Sequence, residues 1–300
     1  MDSDISLPGR ERALPAPIEA AAGLRNGGLD AMLYGIAGLT GVERGLLSLG
    51  TGTPGAVVHA RPGRSIAPGI RVFRDAARFM ASDDGETTQL AVPGGGGSEL
   101  AAAALARQLA DATGRPAAAV VPGYGRQDAL AELLGGAVLF APMSRLRTAL
   151  GTLGRQAVLQ AASARMPGRR LQLADDAMTA PAAAALMALM GDAGRRLDLV
   201  VAHAQGVLAL SAAFARLLRE GRGTRAAQAQ VLTLSAPTAF PPAVRWLRQV
   251  RGALDPLAIL NAEREIAHEV LPFTGHHLNP GLPGHIDLAR QVEALGGMAV

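Results

Sequence analysis

Hydrophobic and polar positions along this chain alternate between short aliphatic runs and stretches of helical period, most clearly from Thr87 onward. Thr88-Gln89-Leu90-Ala91-Val92 has strand character and is stopped by Pro93 and the glycines Gly94 to Gly97. Leu100–Thr113 has helical period, with Ser98 as N-cap, Gly114 as stop and Pro116 beyond it. Ala117–Val121 is the next strand. This succession of strand, glycine loop, helix and strand is a βαβ unit of a parallel sheet. Further on, a helix is predicted from Pro181 to about Gly191, with the proline in its first turn. Leu197–Ala202 is continuously aliphatic apart from Asp198, the pattern of a strand covered on both faces. Val207–Leu218 is its following helix. Strands are predicted at Val231–Leu234 and Ile266–Leu271, a strand or helix at Val244–Val250, and a terminal helix at Ile286–Leu295.

The earlier part of the chain is punctuated by Pro and Gly, with helices predicted at Leu29–Leu39 and Arg71–Ser82. The pattern therefore divides the chain into an irregular N-terminal extension over 1–83 and a domain over 84–300. The expected fold class is α/β: a doubly wound, mostly parallel sheet with helices on both faces. The stretch between Gly125 and Leu197 is longer than one crossover requires, so an inserted lid is predicted over 126–178. It would include an arginine-bearing amphipathic helix at Arg145–Ala164.

Composition sharpens this picture. Hydrophobic residues make up 49% and charged residues 18%, enough for a substantial core. Aromatics are only 3%, so alanine, leucine and valine must fill that core. All 29 basic residues are arginine, a bias that points to a GC-rich, bacterial coding background. The arginines are dispersed, and with few aromatics beside them nucleic acid is not an expected partner. The absence of cysteine excludes disulfides and thiolate chemistry. No run approaches the roughly 20 apolar residues of a membrane span. The acidic start Met1-Asp2-Ser3-Asp4 lacks the features of a signal peptide. A cytoplasmic location follows as the expectation.

The chemistry centres on Ala202-His203-Ala204-Gln205-Gly206, directly after the aliphatic run. Small-x-Ser-x-Gly at such a strand-to-helix turn presents a serine oxygen above the sheet. Here the central residue is alanine, which has no nucleophilic atom. Downstream, Asp255 precedes Pro256 at the tip of a glycine-containing turn, and His276 lies in Gly275-His276-His277 before the terminal helix. A position-204 nucleophile, then an acid, then a histidine is the chain order of one known triad. Asp255 also reads as an Asx-turn residue. His277 and His285 compete with His276 for the base, and the three histidines raise a metal reading that the lack of nearby carboxylates other than Asp287 disfavours.

On these residues the chain resembles the α/β-hydrolase superfamily, in particular its lipase- and esterase-like members, over about residues 87 to 295. The resemblance implies a nucleophile at position 204, an orienting acid at Asp255 and a base at His276. It implies an oxyanion hole from the N–H of Gln205 and of a glycine such as Gly94 or Gly95. It implies acyl-ester or lipid-like small-molecule ligands and no cofactor or metal. The chain departs from the pattern at Ala204, and at Pro93-Gly94 where the family has His-Gly. Three readings follow: a noncatalytic or impaired hydrolase fold, an active ester hydrolase whose serine has been replaced by alanine, and an α/β binding protein using Gly94–Ser98 for an anionic ligand. That last glycine loop lacks the lysine and spacing of known phosphate cradles.

Overall fold

The computed structural model describes residues 28, 30–48, 52–63, 69–94, 97–123, 180–261 and 266–296. The predicted lid over 126–178, the helix at Arg145–Ala164 and Gly95 lie outside them. Eight strands form one mixed sheet: β1 Val57–Ala60, β2 Ile70–Phe73, β3 Gln89–Val92, β4 Ala117–Val120, β5 Leu199–His203, β6 Gln230–Leu234, β7 Leu247–Gly252 and β8 Glu269–Leu271. Their spatial order is β2-β1-β4-β3-β5-β6-β7-β8. From β4 to β8 every neighbouring pair is parallel, whereas β1 runs antiparallel to both β2 and β4. The α/β class with a mostly parallel sheet is thus observed.

The sheet reaches further back than the sequence pattern suggests, because β1 and β2 precede Thr87. The helix predicted over Arg71–Ser82 is correspondingly shortened. Ile70–Phe73 pairs with β1, and helix α2 covers only Ala76–Met80, capped by the Asp75 carboxylate on Arg78 N–H. The helix predicted over Leu29–Leu39 is interrupted at Gly35, whose φ of 66° breaks the helical path.

Residue alternation along the strands builds two cores. On one face Ala91, Ala119, Val201 and Leu232 meet helices α1 (Gly41–Ser48), α3 (Glu99–Thr113) and α7 (Leu288–Gly296). On the other, Leu90, Val92, Val200 and Ala202 meet α2, α4 (Ala180–Gly191) and α5 (Gln205–Arg219). Helix α3 shows why the sequence signals sufficed there. Ser98 accepts Ala101 N–H at the N-cap, Gly114 ends the helix at φ 69°, and alanines from 101 to 110 let it lie close to the sheet. In α5, the buried Val207, Leu210, Phe214 and Leu217 keep helical spacing.

The chain leaves β3 for one face through α3, and leaves β5 for the opposite face through α5. Adjacent parallel strands whose following helices diverge open a crevice at their carboxyl ends, the usual ligand position in open α/β sheets. The residues at that point are Pro93-Gly94 after β3 and Ala204 after β5.

Candidate functional site at the carboxyl ends of the central strands

Ala204 is the junction between β5 and α5, and its backbone is held at φ 50° and ψ −123°. A residue with a Cβ reaches positive φ only at some cost. Three non-glycine residues among those described have positive φ: Ala204, Ser235 after β6 and Phe273 after β8. All three lie beyond the carboxyl ends of strands, the end of an open α/β sheet where ligands usually bind. The turn is compact because its neighbours are small. A Cβ on Gly206 would lie 2.2 Å from Val92 O, and one on Gly94 would lie 2.7 Å from both Gln205 N and His203 O. The β3 loop therefore rests directly on the turn.

Asp255 and His276 are brought together. Asp255 precedes α6 (Pro256–Asn261) and is fully buried. One carboxylate oxygen accepts Ala258 N–H at 2.9 Å, and the other lies 2.8 Å from His276 Nδ1. Asp255 thus caps α6 with one oxygen and holds an imidazole with the other, in place of the Asx turn. Burial alone would raise its pKa. The hydrogen bond and charge of His276, the Ala258 N–H and the Ser235 hydroxyl outweigh burial and hold the carboxyl below its ordinary range. In the neutral ring, Nδ1–H directed at the carboxylate leaves the lone pair on Nε2.

His203, adjacent to Ala204, is fully buried. Its ring centroid is 5.0 Å from that of His276, and its Nε2 is 2.8 Å from His276 O. Burial first, then the neighbouring His276, pushes its pKa down to about 3, so it is neutral at physiological pH. Nδ1 of His203 is 2.9 Å from the hydroxyl of Tyr34. That hydroxyl also accepts Gly94 N–H at 2.8 Å and lies 2.9 Å from Gly94 O.

The remaining predicted residues divide. Gln205 begins α5, where its N–H has no carbonyl four residues earlier within the helix to accept it. Gly94 lies against the turn, but its N–H is donated to Tyr34 and is not free for an oxyanion. His277 is buried, mainly through which its imidazole is held below the ordinary histidine range. Of the three histidines after Phe273, His276 is the one hydrogen-bonded to Asp255. No group of three or more metal-ligating side chains occurs among the described residues. The N-terminus of α3 already holds a carboxylate: the fully buried Asp30 accepts Ser98 N–H at 3.0 Å.

Tyr34 carries no sequence signal of a role here. Tyr34 is 169 residues from His203, and no spacing rule connects them. Ser235 did offer one clue, since it follows a strand parallel to β5 and must emerge at the same end of the sheet. Its hydroxyl lies 3.3 Å from His276 O and within reach of Asp255.

Two depressions lie elsewhere. One of about 550 Å³ is bordered by Arg115, Arg196, Asp198 and Arg225, at the amino ends of β5 and β6 and so at the opposite end of the sheet. Another of about 260 Å³ lies between Pro54, Asp75 and Pro181. No helix among the described residues is long and apolar enough to cross a membrane. Comparison of the chain with protein-family models, with curated proteins and with solved structures gives no match.

Proposed function

We propose that this chain is an α/β-hydrolase-type protein of the ester and lipid hydrolase kind, with alanine at the nucleophile position. As written it binds an acyl ester or a lipid-like small molecule and does not form an acyl-enzyme. One observation carries the reading: the strained turn at Ala204 adjoins His203, whose ring abuts a histidine paired with a buried aspartate. A hydrolase nucleophile occupies such a strained strand-to-helix turn, and its acid and base follow in that chain order.

The chemistry follows from the groups present. An oxygen at position 204 would give its proton to His276 Nε2 as it attacks an ester carbonyl, and Asp255 would stabilise the imidazolium. The N–H of Gln205 would face the developing oxyanion. Without that oxygen, what remains is a polarised imidazole beside a binding crevice. In a well-characterised serine protease, loss of the nucleophile alone lowers kcat about 10⁶-fold.

The test is Ala204→Ser, assayed with short- and long-chain nitrophenyl esters beside the parent. Turnover is expected to rise by at least three orders of magnitude above the parent, and His276→Ala in the serine variant is expected to abolish it. A serine variant that is folded yet neither turns over esters nor is acylated by a fluorophosphonate overturns the proposal.

A further inference from the structure

The loops that meet at Ala204 come from three distant parts of the chain, and a buried polar chain ties them together. Tyr34 and His203 are both fully buried, so neither can touch a ligand. Their rings meet edge to face, with centroids 5.2 Å apart and an interplanar angle of 80°. A merely space-filling role would need no polar atoms, and buried polar atoms are costly unless paired. Here the hydroxyl and both ring nitrogens are paired.

The direction of each bond is fixed by what its partner can do. His276 O is a carbonyl and can only accept, so the single proton of the neutral His203 ring must sit on Nε2. Nδ1 is then an acceptor and shares the single Tyr34 hydroxyl proton with Gly94 O, which lies 2.9 Å from the same oxygen. The same hydroxyl oxygen accepts Gly94 N–H. Burial, with the Asp30 charge added, raises the Tyr34 pKa, so the phenol keeps the proton it donates. The Ser235 hydroxyl adds a second donor near His276 O.

We propose that Tyr34 and His203 are positioning residues. The Tyr34 hydroxyl selects the Nε2–H tautomer of His203, which grips the His276 carbonyl and so aims the His276 imidazole at position 204. The same hydroxyl anchors the Gly94 loop over the turn. The role of the aimed imidazole rests on the function proposed above; the tautomer relay itself does not.

The experiment therefore has two arms. In the first, the imidazole nitrogens of the parent and of Tyr34→Phe are observed by ¹⁵N–¹H NMR. The parent is expected to show Nε2–H at His203 and Nδ1–H at His276. Tyr34→Phe, which leaves His203 Nδ1 without a donor, is expected to mix the His203 tautomers and to shift or broaden His276. Unchanged signals of both rings in the folded variant would overturn the relay.

The second arm uses the Ala204→Ser background. Tyr34→Phe is expected to lower kcat about 10- to 100-fold with little change in KM, because misaiming a catalytic group by about an ångström has that effect. His203→Gln keeps a donor where Nε2–H stands and is expected to retain more kcat than His203→Leu. Variants that lose thermal stability but keep kcat would show a structural role only and overturn the proposal. If Tyr34→Phe does not fold, the Gln and Leu variants at position 203 decide. If the serine protein is itself inactive, the hydrolase reading fails, and the NMR arm alone judges the relay.

Discussion

Asp255→Asn probes the site most directly, because the two carboxylate oxygens have different partners. One accepts Ala258 N–H and the other faces His276 Nδ1. An asparagine offers one oxygen and one NH₂. If the oxygen stays on Ala258 N–H, the NH₂ faces His276 and forces its Nδ1 to become an acceptor. The imidazole proton then moves to Nε2, which loses its lone pair. If the amide turns the other way, its NH₂ meets Ala258 N–H, donor against donor. A buried hydrogen bond involving a charged group contributes about 1.5–3 kcal/mol, and both arrangements forfeit one. At about 2–4 °C per kcal/mol for a domain of this size, Tm should fall by roughly 3–12 °C.

The pH dependence of that loss has a definite sign. The folded-state pKa of Asp255 lies below its ordinary value. Its stabilisation is therefore fully present above the unfolded carboxyl value of about 4 and is lost as pH falls through the lower folded value. The carboxylate's share of the difference in Tm between parent and Asp255→Asn should be present above about pH 4 and shrink below it. Thermal melts across that range and ¹⁵N tautomer spectra of His276 are the assays. In the Ala204→Ser background, kcat should also fall by about 10⁴, as it does in another triad when the acid becomes an amide. Retention of Nδ1–H at His276 in the asparagine variant, with Tm unchanged, would refute the pairing argument.

Two further outcomes are expected away from the imidazoles. Glu43 and Arg107 form an ion pair of 2.5 Å with both side chains about 1% exposed, and Glu43 also accepts the N–H groups of Thr40 and Gly69. Glu43→Gln leaves a buried guanidinium without its counter-charge and should cost about 3–5 kcal/mol in urea unfolding, whereas replacing both residues with apolar ones should cost much less. Gly206→Ala places a Cβ 2.2 Å from Val92 O, an atom of the backbone that cannot swing aside. It should destabilise the fold by about 1–3 kcal/mol and, in the serine variant, lower esterase kcat by displacing the β3 loop.

The parts of the fold legible in the sequence are those governed by local rules. Helix α3 announces itself through Ser98 and Gly114, and β5 through its unbroken aliphatic run. The order of position 204, Asp255 and His276 could be read because it is a property of the chain itself. Strands β1 and β2 escaped because they are set among glycines, prolines and arginines, with no long helical stretch between them to mark a crossover. Arg71, Arg74 and Arg78 fall at helical spacing, and this mimicked a helix where pairing with β1 prevails. The occupation of Gly94 N–H by Tyr34 was hidden for another reason: a backbone group carries no label in the sequence, and its partner lies 60 residues away.

The contact between Tyr34 and His203 spans 169 positions, and His203 reaches another 73 to the carbonyl of His276. A polypeptide emerging from the ribosome therefore holds the first half of this arrangement long before the second exists. Tyr34, Gly94 and His203 are then all present, but the His276 carbonyl is not. Completion of this polar chain is thus tied to late synthesis, so a nascent chain halted before residue 276 can lay down the central strands yet leaves His203 Nε2 without its carbonyl partner.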